Sequence, residues 1–360
     1  MLKSTGQMTM QGRHVVILSG GISHERDVSL RSGRRVADAL TRAGAKVTVR
    51  EPDGSLLPWL IENRDDVDVV WPVLHGASGE NGALYSLLRA NEFAYVGSRP
   101  TATKLAWNKA TAKALAKRAG LATPPSIVLP NEIFRELGAK TVIDAVSRGI
   151  DFPAVVKPAE GGSAQGVTHV SNVAELGRAL MTAFTYCDTA LIEKHISGTE
   201  VMVGVLDLGE GPMTVPAVET VPNNGVFDYA ARYNPGETTY YAPARLSPEV
   251  AESVAQQALH AYRTIGLADV ARIDFIVDAE GKAWFIEADP IPGMTETSLV
   301  PMGIEAAGLQ LSEVYATLAM IAAERGPRNT PEQVQDAFGS AGVFANSTAD
   351  EAADEATGEN

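Results

Sequence analysis

The stretch FPAVVKPAEGGSAQGVTHV, residues Phe152–Val170, decides the fold of this 360-residue chain. It begins with an apolar, β-branched run, Ala154–Lys157, and ends with a second run, Gly166–Val170. The residues between these runs are glycine, small or polar. Two strands joined in this way are typical of a β-hairpin with a mobile, glycine-rich tip. Lys157 and the N–H groups of such a tip could hold phosphate groups, although this signal alone is weak because glycine-rich hairpins are common.

Upstream of the hairpin, strand and helix patterns alternate. The predicted strands are His14–Leu18, Lys46–Arg50, Val67–Leu74 and Phe93–Val96. An amphipathic helix pattern, Val28–Ala43, follows the first strand. Strands that alternate with helices predict a parallel, doubly wound sheet. We therefore assign residues 13–98 to an N-terminal α/β domain.

The region around the hairpin, residues 99–190, has the pattern of a small α+β domain. A helix pattern, Ala102–Ala119, precedes a short strand, Ser126–Leu129, and a second helix pattern, Val173–Phe184, follows the hairpin. This arrangement makes the hairpin part of a central domain.

Strands dominate the third region, residues 191–325. From its start onward the predicted strands are Ala190–Glu193, Glu200–Leu206, Thr214–Thr220, Ala271–Val277 and Ala283–Glu287. One well-marked helix interrupts them: Ser247 can cap its start, Pro248 suits its first position and Gly266 suits its end. After this third region, residues 326–360 are polar, small and acidic, which predicts a disordered tail.

Composition restricts the class of function. The 44 acidic and 30 basic residues give a formal charge of −14, which argues against sequence-independent nucleic-acid binding, since that requires a basic face. The single cysteine, Cys187, excludes a disulfide within the chain and indicates a reducing compartment. No signal-peptide core and no apolar run of membrane-spanning length is present. We therefore expect a cytoplasmic protein that binds neither nucleic acid nor membrane.

The strongest chemical signal is Arg272-Ile273-Asp274 followed by Glu287-Ala288-Asp289. Strand alternation puts the first and third residues of each triplet on one face. If the two strands are neighbours, three carboxylates and a guanidinium converge. Carboxylate oxygens suit Mg²⁺, and the arginine could stabilise a phosphoryl group during transfer. The alternative is a solvated charge ladder, but the acids lie among apolar residues such as Phe275 and Phe285, which favours a site.

Six motifs in one order add a family resemblance. They are Leu18–Gly33, His75–Gly82, Val156–Pro158, Asp228-Tyr229 with Arg232-Tyr233, Arg272–Asp274 and Pro292–Thr295. Over roughly His14 to Ala323 the chain resembles the D-alanine–D-alanine ligases of the ATP-grasp superfamily. Six motifs in the family order are far more specific than any one of them.

The resemblance implies an ATP-grasp architecture, in which a doubly wound parallel-sheet domain precedes two α+β domains that sandwich ATP. It implies ATP-dependent joining of two D-alanines to D-alanyl-D-alanine through an acylphosphate, for peptidoglycan synthesis. The implied cofactors are ATP and two Mg²⁺ ions, for which Mn²⁺ could substitute. The implied partners are amino-acid substrates and a second copy of the chain in a homodimer.

The resemblance also implies roles for individual residues. Amino-acid substrates would be bound by Glu25, His75, Ser298 and Leu299. The nucleotide would be bound by Lys109, Lys157, Glu193, Lys194, Ile196 and Glu200. The metal ligands would be Asp274, Glu287 and Asp289. The catalytic group would be Glu25, Ser163, Tyr233 and Arg272, with Ser163 and Tyr233 in the lid network that closes over the site.

The sequence departs from the family pattern at several positions. Asp289-Pro290 stands where asparagine followed by threonine is usual, and Arg232 replaces a lysine. Asn81 and Asn108 replace aspartates, Ala164 replaces a second serine, and Thr297 stands where some members have histidine. Together these changes leave the second amino acid open. Tyr233 favours an amine nucleophile, since relatives that make D-alanyl-D-lactate often carry other residues there.

Two other functions stay open on the sequence. One is a related ligase that joins other amino acids in a specialised peptide pathway. The other is a catalytically silent ATP-binding module, against which the joint presence of Lys157, Arg272, Asp274 and Glu287 argues. Single residues also have structural explanations, as when Glu25 precedes a helix, where an acid is favoured by the helix dipole.

Overall fold

Three parallel strands form the sheet of the N-terminal region. The computed structural model describes residues 10–328 except 224, 226, 228 and 235. Strands β1 (His14–Leu18), β2 (Lys46–Arg50) and β3 (Val69–Pro72) lie in the order β2-β1-β3. All of β1 is buried, and its alternate residues enter two different apolar cores, one on each face. Such burial is typical of a parallel strand covered on both sides. The predicted parallel sheet is confirmed.

Helices and one short turn connect and cover this sheet. They are α1 (Arg26–Arg42), α2 (Leu56–Glu62), a 3-10 turn (Arg64–Asp66), α3 (Ala77–Glu80) and α4 (Ala83–Ala90). The predicted strand Phe93–Val96 is wrong, because this segment makes a single isolated bridge between Tyr95 and Val70. The chain turns away at Gly97, whose φ of +127° favours glycine.

The predicted long helix Ala102–Ala119 is two helices, α5 (Pro100–Trp107) and α6 (Lys109–Arg118). Asn108 separates them, because its backbone is extended and its side chain accepts a hydrogen bond from the N–H of Thr111. Asparagine is a favoured N-cap. The break therefore places Lys109 at the first position of α6.

The central sheet contains the glycine-rich hairpin. Its elements are β4 (Ser126–Pro130), α7 (Glu132–Leu137), α8 (Ala139–Gly149), β5 (Ala154–Pro158), β6 (Thr168–Val170), α9 (Val173–Phe184) and β7 (Thr189–Lys194). The strands are antiparallel in the order β4-β7-β5-β6. The predicted hairpin is confirmed, with Ala154 opposite Val170. Strand β7 lies between β4 and β5, although the predicted domain boundary at residue 190 falls within it.

The C-terminal sheet is the largest. Its elements are β8 (Thr199–Asp207), β9 (Pro212–Thr214), β10 (Val218–Pro222), α10 (Tyr229–Tyr233), β11 (Thr238–Tyr241), α11 (Pro248–Ile265), β12 (Val270–Val277) and β13 (Ala283–Asp289). The strand order is β11-β10-β8-β12-β13, and β9 pairs with β8. The predicted strand Thr214–Thr220 is wrong as a single element, because Pro216, which has no N–H to donate, separates β9 from β10.

Helix α11 has the ends that the sequence predicts. The side chain of Ser247 accepts a hydrogen bond from the N–H of Val250, Pro248 occupies the first turn, and Gly266 ends the helix in the left-handed region. Helices α12 (Leu299–Ala306) and α13 (Leu311–Arg325) complete the described chain. No single helix among the described residues is long and apolar enough to span a membrane, and only α12 and α13 taken together, at a bend of 110°, reach such a length.

Shared apolar cores hold the sheets together near the site. Tyr315 of α13 packs edge-on against Trp71 of β3 at 5.7 Å between ring centroids. Another core joins α5 and α6 to β12 and β13. The division at residues 98 and 190 stays a prediction, and the predicted tail lies outside the described residues beyond residue 328.

Candidate active site

Two adjoining cavities lie at the tip of the glycine-rich hairpin. Their volumes are about 70 Å³ and about 380 Å³. Lys109, Gly161, Gly162 and Glu287 line both of them. All the site residues predicted from the sequence whose side chains the structure describes line at least one of the two cavities. Tyr233 lies in α10, but its side chain is outside the described part of the chain.

Apart from Lys109 and Glu287, which line both, the predicted residues divide between the cavities. The smaller cavity is lined by Glu25, His75, Ser163, Arg272, Asp289, Ser298 and Leu299. The larger cavity is lined by Lys157, Glu193, Lys194, Ile196, Glu200 and Asp274. The predicted amino-acid ligands thus lie on one side and the predicted nucleotide ligands on the other. The individual roles stay predictions.

Arg272 and three carboxylates meet on one face of the antiparallel pair β12–β13. Arg272 lies opposite Asp289, and Asp274 lies opposite Glu287. Nε of Arg272 donates to Oδ1 of Asp274 at 2.7 Å, and Nη1 donates to Oδ2 of Asp289 at 2.8 Å. Nη2 lies 3.5 Å from Oε1 of Glu287. The convergence expected from strand alternation is confirmed.

The charges of this cluster alter one another's ionisation. Burial raises the pKa of Asp274 to about 6, although the neighbouring Arg272 opposes the shift. For Glu287, burial also favours the neutral form, but the charges of Lys109 and Arg272 outweigh it and lower the pKa. The two cross-strand carboxylates therefore differ in proton affinity. A cation entering the cluster would meet Glu287 already ionised.

The carboxylate set fits a divalent cation in its chemistry. Asp274 and Glu287 offer hard oxygen donors of the kind that Mg²⁺ prefers, close to the cavity that the predicted nucleotide ligands line. In this structure all three carboxylates, including that of Asp289, contact Arg272. Within the described residues, no group of three or more His, Cys, Asp or Glu side chains is arranged as a metal site. Their role as metal ligands stays a prediction.

Lys109 connects three parts of the site. It begins α6 directly after the Asn108 cap. Its Nζ donates to the carbonyl oxygen of Gly161 at 2.5 Å and lies 3.3 Å from Oε2 of Glu287. The ammonium group therefore faces the hairpin tip and the carboxylate cluster together, which suits a polyanion bound between them.

Glu193, which lines the larger cavity, binds two lysines. Lys157 pairs with its Oε1, and Nζ of Lys113 donates to its Oε2 at 2.6 Å. Burial alone raises the pKa of Glu193, but the two ammonium groups outweigh burial and lower it. Glu200, which also lines the cavity, has its pKa raised by burial.

The hairpin tip closes against the start of α1. The hydroxyl of Ser163 donates a hydrogen bond to Oε1 of Glu25. Ser163 and Ala164 have φ values of +50° and +56°, in the left-handed region that few residues other than glycine adopt. A Cβ on Gly162 would lie 2.9 Å from Oε1 of Glu25, so a larger residue here would displace that carboxylate.

His75 and Glu80 form a buried pair beside the smaller cavity. Nδ1 of His75 lies 3.4 Å from Oε1 of Glu80, and Nε2 of His75 has no hydrogen-bond partner among the described residues. Burial raises the pKa of Glu80 to about 8. Burial lowers the pKa of His75, but the hydrogen bond and charge of Glu80 outweigh burial and raise it. His75 also lines the smaller cavity, although its Nε2 is buried.

Comparisons with known proteins identify the family of the chain. A family model described as D-ala D-ala ligase C-terminus matches residues 115–320. The D-alanine–D-alanine ligase of Anaeromyxobacter dehalogenans strain 2CP-1 is 39% identical over 304 residues, which cover 84% of this chain and 94% of that protein. The enzyme of the same name from Syntrophotalea carbinolica is 36% identical over 305 residues, covering 85% and 94%. This chain belongs to the D-alanine–D-alanine ligase family.

Solved structures of ligases share the fold. The VanG D-Ala:D-Ser ligase from Enterococcus faecalis is 26% identical with a TM-score of 0.74, covering 87% of this chain and 100% of that one. The D-alanine–D-alanine ligase from Bacillus anthracis is 28% identical with a TM-score of 0.72, covering 87% and 98%. The predicted ATP-grasp architecture is confirmed.

The structure adds residues that the sequence did not single out in this member of the D-alanine–D-alanine ligase family. Glu80 lies within the quoted motif His75–Gly82, yet only its burial beside His75 marks it. Lys113 follows Lys109 by four residues and so lies on the same side of α6, a signal that was available.

Proposed function

We propose that this protein joins two D-alanines to D-alanyl-D-alanine while ATP is converted to ADP and phosphate, and that the dipeptide serves peptidoglycan synthesis. The observation that supports this most strongly is the position of Arg272. It lines the smaller cavity, where amino-acid ligands are predicted, and contacts Asp274, which lines the larger one. A phosphoryl group transferred from a nucleotide to an amino-acid carboxylate would pass this point.

The residues present supply what such a transfer needs. In the smaller cavity, Glu25 would accept hydrogen bonds from the ammonium group of the first D-alanine, and His75 would lie beside its carboxylate. Lys109 and Lys157 would neutralise the nucleotide phosphates. Arg272 would stabilise the charge on the transferred phosphoryl group and on the tetrahedral intermediate. Preorganised cations are worth most where water is excluded.

Magnesium fits this scheme through Asp274, Glu287 and Asp289, which would hold it so that it neutralises phosphate charge. The hydrogen bond from Ser163 to Glu25 would keep the glycine-rich tip closed over the cavity. Closure matters because an acylphosphate hydrolyses when water reaches it. The amine of the second amino acid would then attack the activated carbonyl and release phosphate.

A second candidate is the same chemistry with a different second amino acid. One solved structure that resembles this chain is of a D-Ala:D-Ser ligase. Thr297 and Ser298, which line the smaller cavity, would offer hydroxyl groups to a polar side chain. We further propose that the enzyme acts in the cytoplasm as a homodimer, which sedimentation at working concentrations would test.

The test is ATP-dependent phosphate release with Mg²⁺ across a panel of D- and L-amino acids, with products identified by mass. D-Alanine alone yielding D-alanyl-D-alanine is the expected result. Turnover only when D-serine or another amine accompanies D-alanine would favour the second candidate. ATP binding without phosphate release for any amino acid would refute both and leave a silent nucleotide-binding module.

A further inference from the structure

A buried lysine contacts a carboxylate that lines the larger cavity. Lys113 is only 3% exposed, and its Nζ donates to Oε2 of Glu193 at 2.6 Å. Glu193 is 4% exposed and pairs through its other oxygen with Lys157. One buried carboxylate therefore has an ammonium group on each of its oxygens.

Only two of these three groups face the cavity. Glu193 and Lys157 belong to its lining, whereas Lys113 does not. A nucleotide triphosphate in this cavity carries several negative charges and competes with Glu193 for Lys157. Lys113 does not face the ligand, so it remains on Glu193 when Lys157 turns to phosphate. Lys157 can therefore bind the ligand while Lys113 stays paired with Glu193.

We infer that Lys113 is a positioning residue that keeps Glu193 a carboxylate, and that it thereby makes the site select 6-aminopurine over 6-oxopurine nucleotides. The inference rests on the proposed function, and on the family resemblance, which implies that Glu193 lies beside the base of the bound ATP. A carboxylate only accepts hydrogen bonds, whereas a protonated carboxyl group also donates one. Adenine presents an amino donor at C6, and hypoxanthine presents a carbonyl acceptor there. An ionised Glu193 therefore accepts from the first and repels the second.

The electrostatics of Glu193 support this role. Burial favours its neutral form, and the two lysines together lower its pKa against burial. Burial also lowers the pKa of Lys113, so this ammonium group depends on the carboxylate in turn. Without Lys113, a nucleotide that engages Lys157 would leave Glu193 buried with no counter-ion, and such a group takes up a proton.

The test compares equilibrium binding of ATP and ITP by calorimetric competition, without amino acid, in the wild type and in Lys113→Met. ITP differs from ATP at the C6 position and the neighbouring N1. We expect the ratio of the Kd for ITP to the Kd for ATP to fall at least tenfold in the variant. Lys117→Met, at an exposed position of the same helix, is the matched control, and Lys113→Arg should keep the wild-type ratio. Equal weakening of both nucleotides in Lys113→Met would overturn the inference, as would a wild type without preference.

A double-variant cycle separates this role from a structural one. In Glu193→Gln the amide can donate and accept, so adding Lys113→Met should leave the ratio unchanged. A further fall in the ratio would show that Lys113 acts by another route and overturn the inference. If Lys113→Met unfolds below the temperature of the binding measurement, Lys113→Gln is used in its place, because it removes the same charge. Because no amino acid is present, a wild type that binds ATP but ligates nothing would refute the proposed function and leave this test intact.

Discussion

Arg272 lies directly opposite Asp289 across β12 and β13, and its Nη1 donates a 2.8 Å hydrogen bond to Oδ2 of that residue. The same guanidinium donates from Nε to Asp274. One arginine thus connects a residue of the smaller cavity with a residue of the larger. Asp289 also marks a departure from the family, in which asparagine is usual, so its charge can be tested separately.

Asp289→Asn removes one negative charge and keeps an oxygen ligand. We expect the Mg²⁺ concentration for half-maximal velocity to rise several-fold, because a less negative cluster attracts the cation less strongly. At saturating Mg²⁺, kcat should fall by less than about tenfold, which corresponds to a rise of less than about 1.4 kcal/mol in the activation free energy. Mg²⁺ titration of phosphate release measures both. Glu280→Gln, at an exposed turn position, is the control, and an unchanged Mg²⁺ dependence in Asp289→Asn would contradict the metal-ligand role.

Arg272→Lys keeps a positive charge but loses the fork that reaches two carboxylates. We expect kcat/KM to fall by about 100-fold or more, the scale on which a preorganised donor to developing charge acts. Steady-state ligation assays measure the effect, and a thermal melt shows whether the fold is retained. Arg263→Lys, at an exposed position of α11, should be neutral. A folded Arg272→Lys enzyme with near-normal kcat/KM would contradict a role for Arg272 in stabilising the transition state.

Ser163→Ala removes the hydrogen bond that holds the glycine-rich tip to Glu25. A looser tip admits water to the acylphosphate, so we expect phosphate release to exceed dipeptide formation. Measuring both products in one reaction gives their ratio, which should be one in the wild type and above one in the variant. Ser253→Ala, on the exposed side of α11, should keep the ratio at one. A ratio of one in Ser163→Ala, even at reduced rate, would contradict the closure role.

Glu80 should make stability depend on pH. Burial raises its pKa from an ordinary 4.5 to about 8, so the folded state binds a proton that the unfolded state releases. The proton on Glu80 stabilises the folded state fully below about pH 4.5, and this stabilisation is lost as pH rises toward about 8. Over this window the free energy of unfolding should fall by up to about 1.4 kcal/mol per pH unit. Glu80→Gln cannot titrate, so its free energy of unfolding should vary less over this window. Chemical denaturation at several pH values compares it with the wild type and with Glu280→Gln, and parallel curves for all three would refute the assignment.

Local sequence patterns predicted the cluster of Arg272 and the three carboxylates because these residues lie on regular strands. Arg272 and Asp274 alternate on β12, and the cross-strand register brings them to Glu287 and Asp289. The hairpin was predicted from the glycines between its two strands. Where the pattern was locally continuous, however, prediction was wrong: Asn108 caps a new helix within Ala102–Ala119.

Other features could not be predicted because they depend on distant partners. Lys113 is buried by an ion pair with Glu193, 80 residues away in sequence, and nothing near Lys113 shows that its charge is covered. Phe93–Val96 has the composition of a strand, yet a strand also needs a neighbour along its length, and the segment finds one only at Tyr95. Burial and pairing are tertiary properties, and they override local propensity.

We propose that a carboxylate of D-alanine is phosphorylated by ATP before the amide bond forms. The most direct measurement uses D-alanine labelled with ¹⁸O in both carboxylate oxygens, with mass analysis of the phosphate released. Attack of the carboxylate on the γ-phosphorus, followed by amine attack on the carbonyl carbon, transfers one labelled oxygen to each phosphate. Phosphate carrying one ¹⁸O per dipeptide is the predicted result. Unlabelled phosphate alongside labelled dipeptide, or release of pyrophosphate and AMP, would contradict the account.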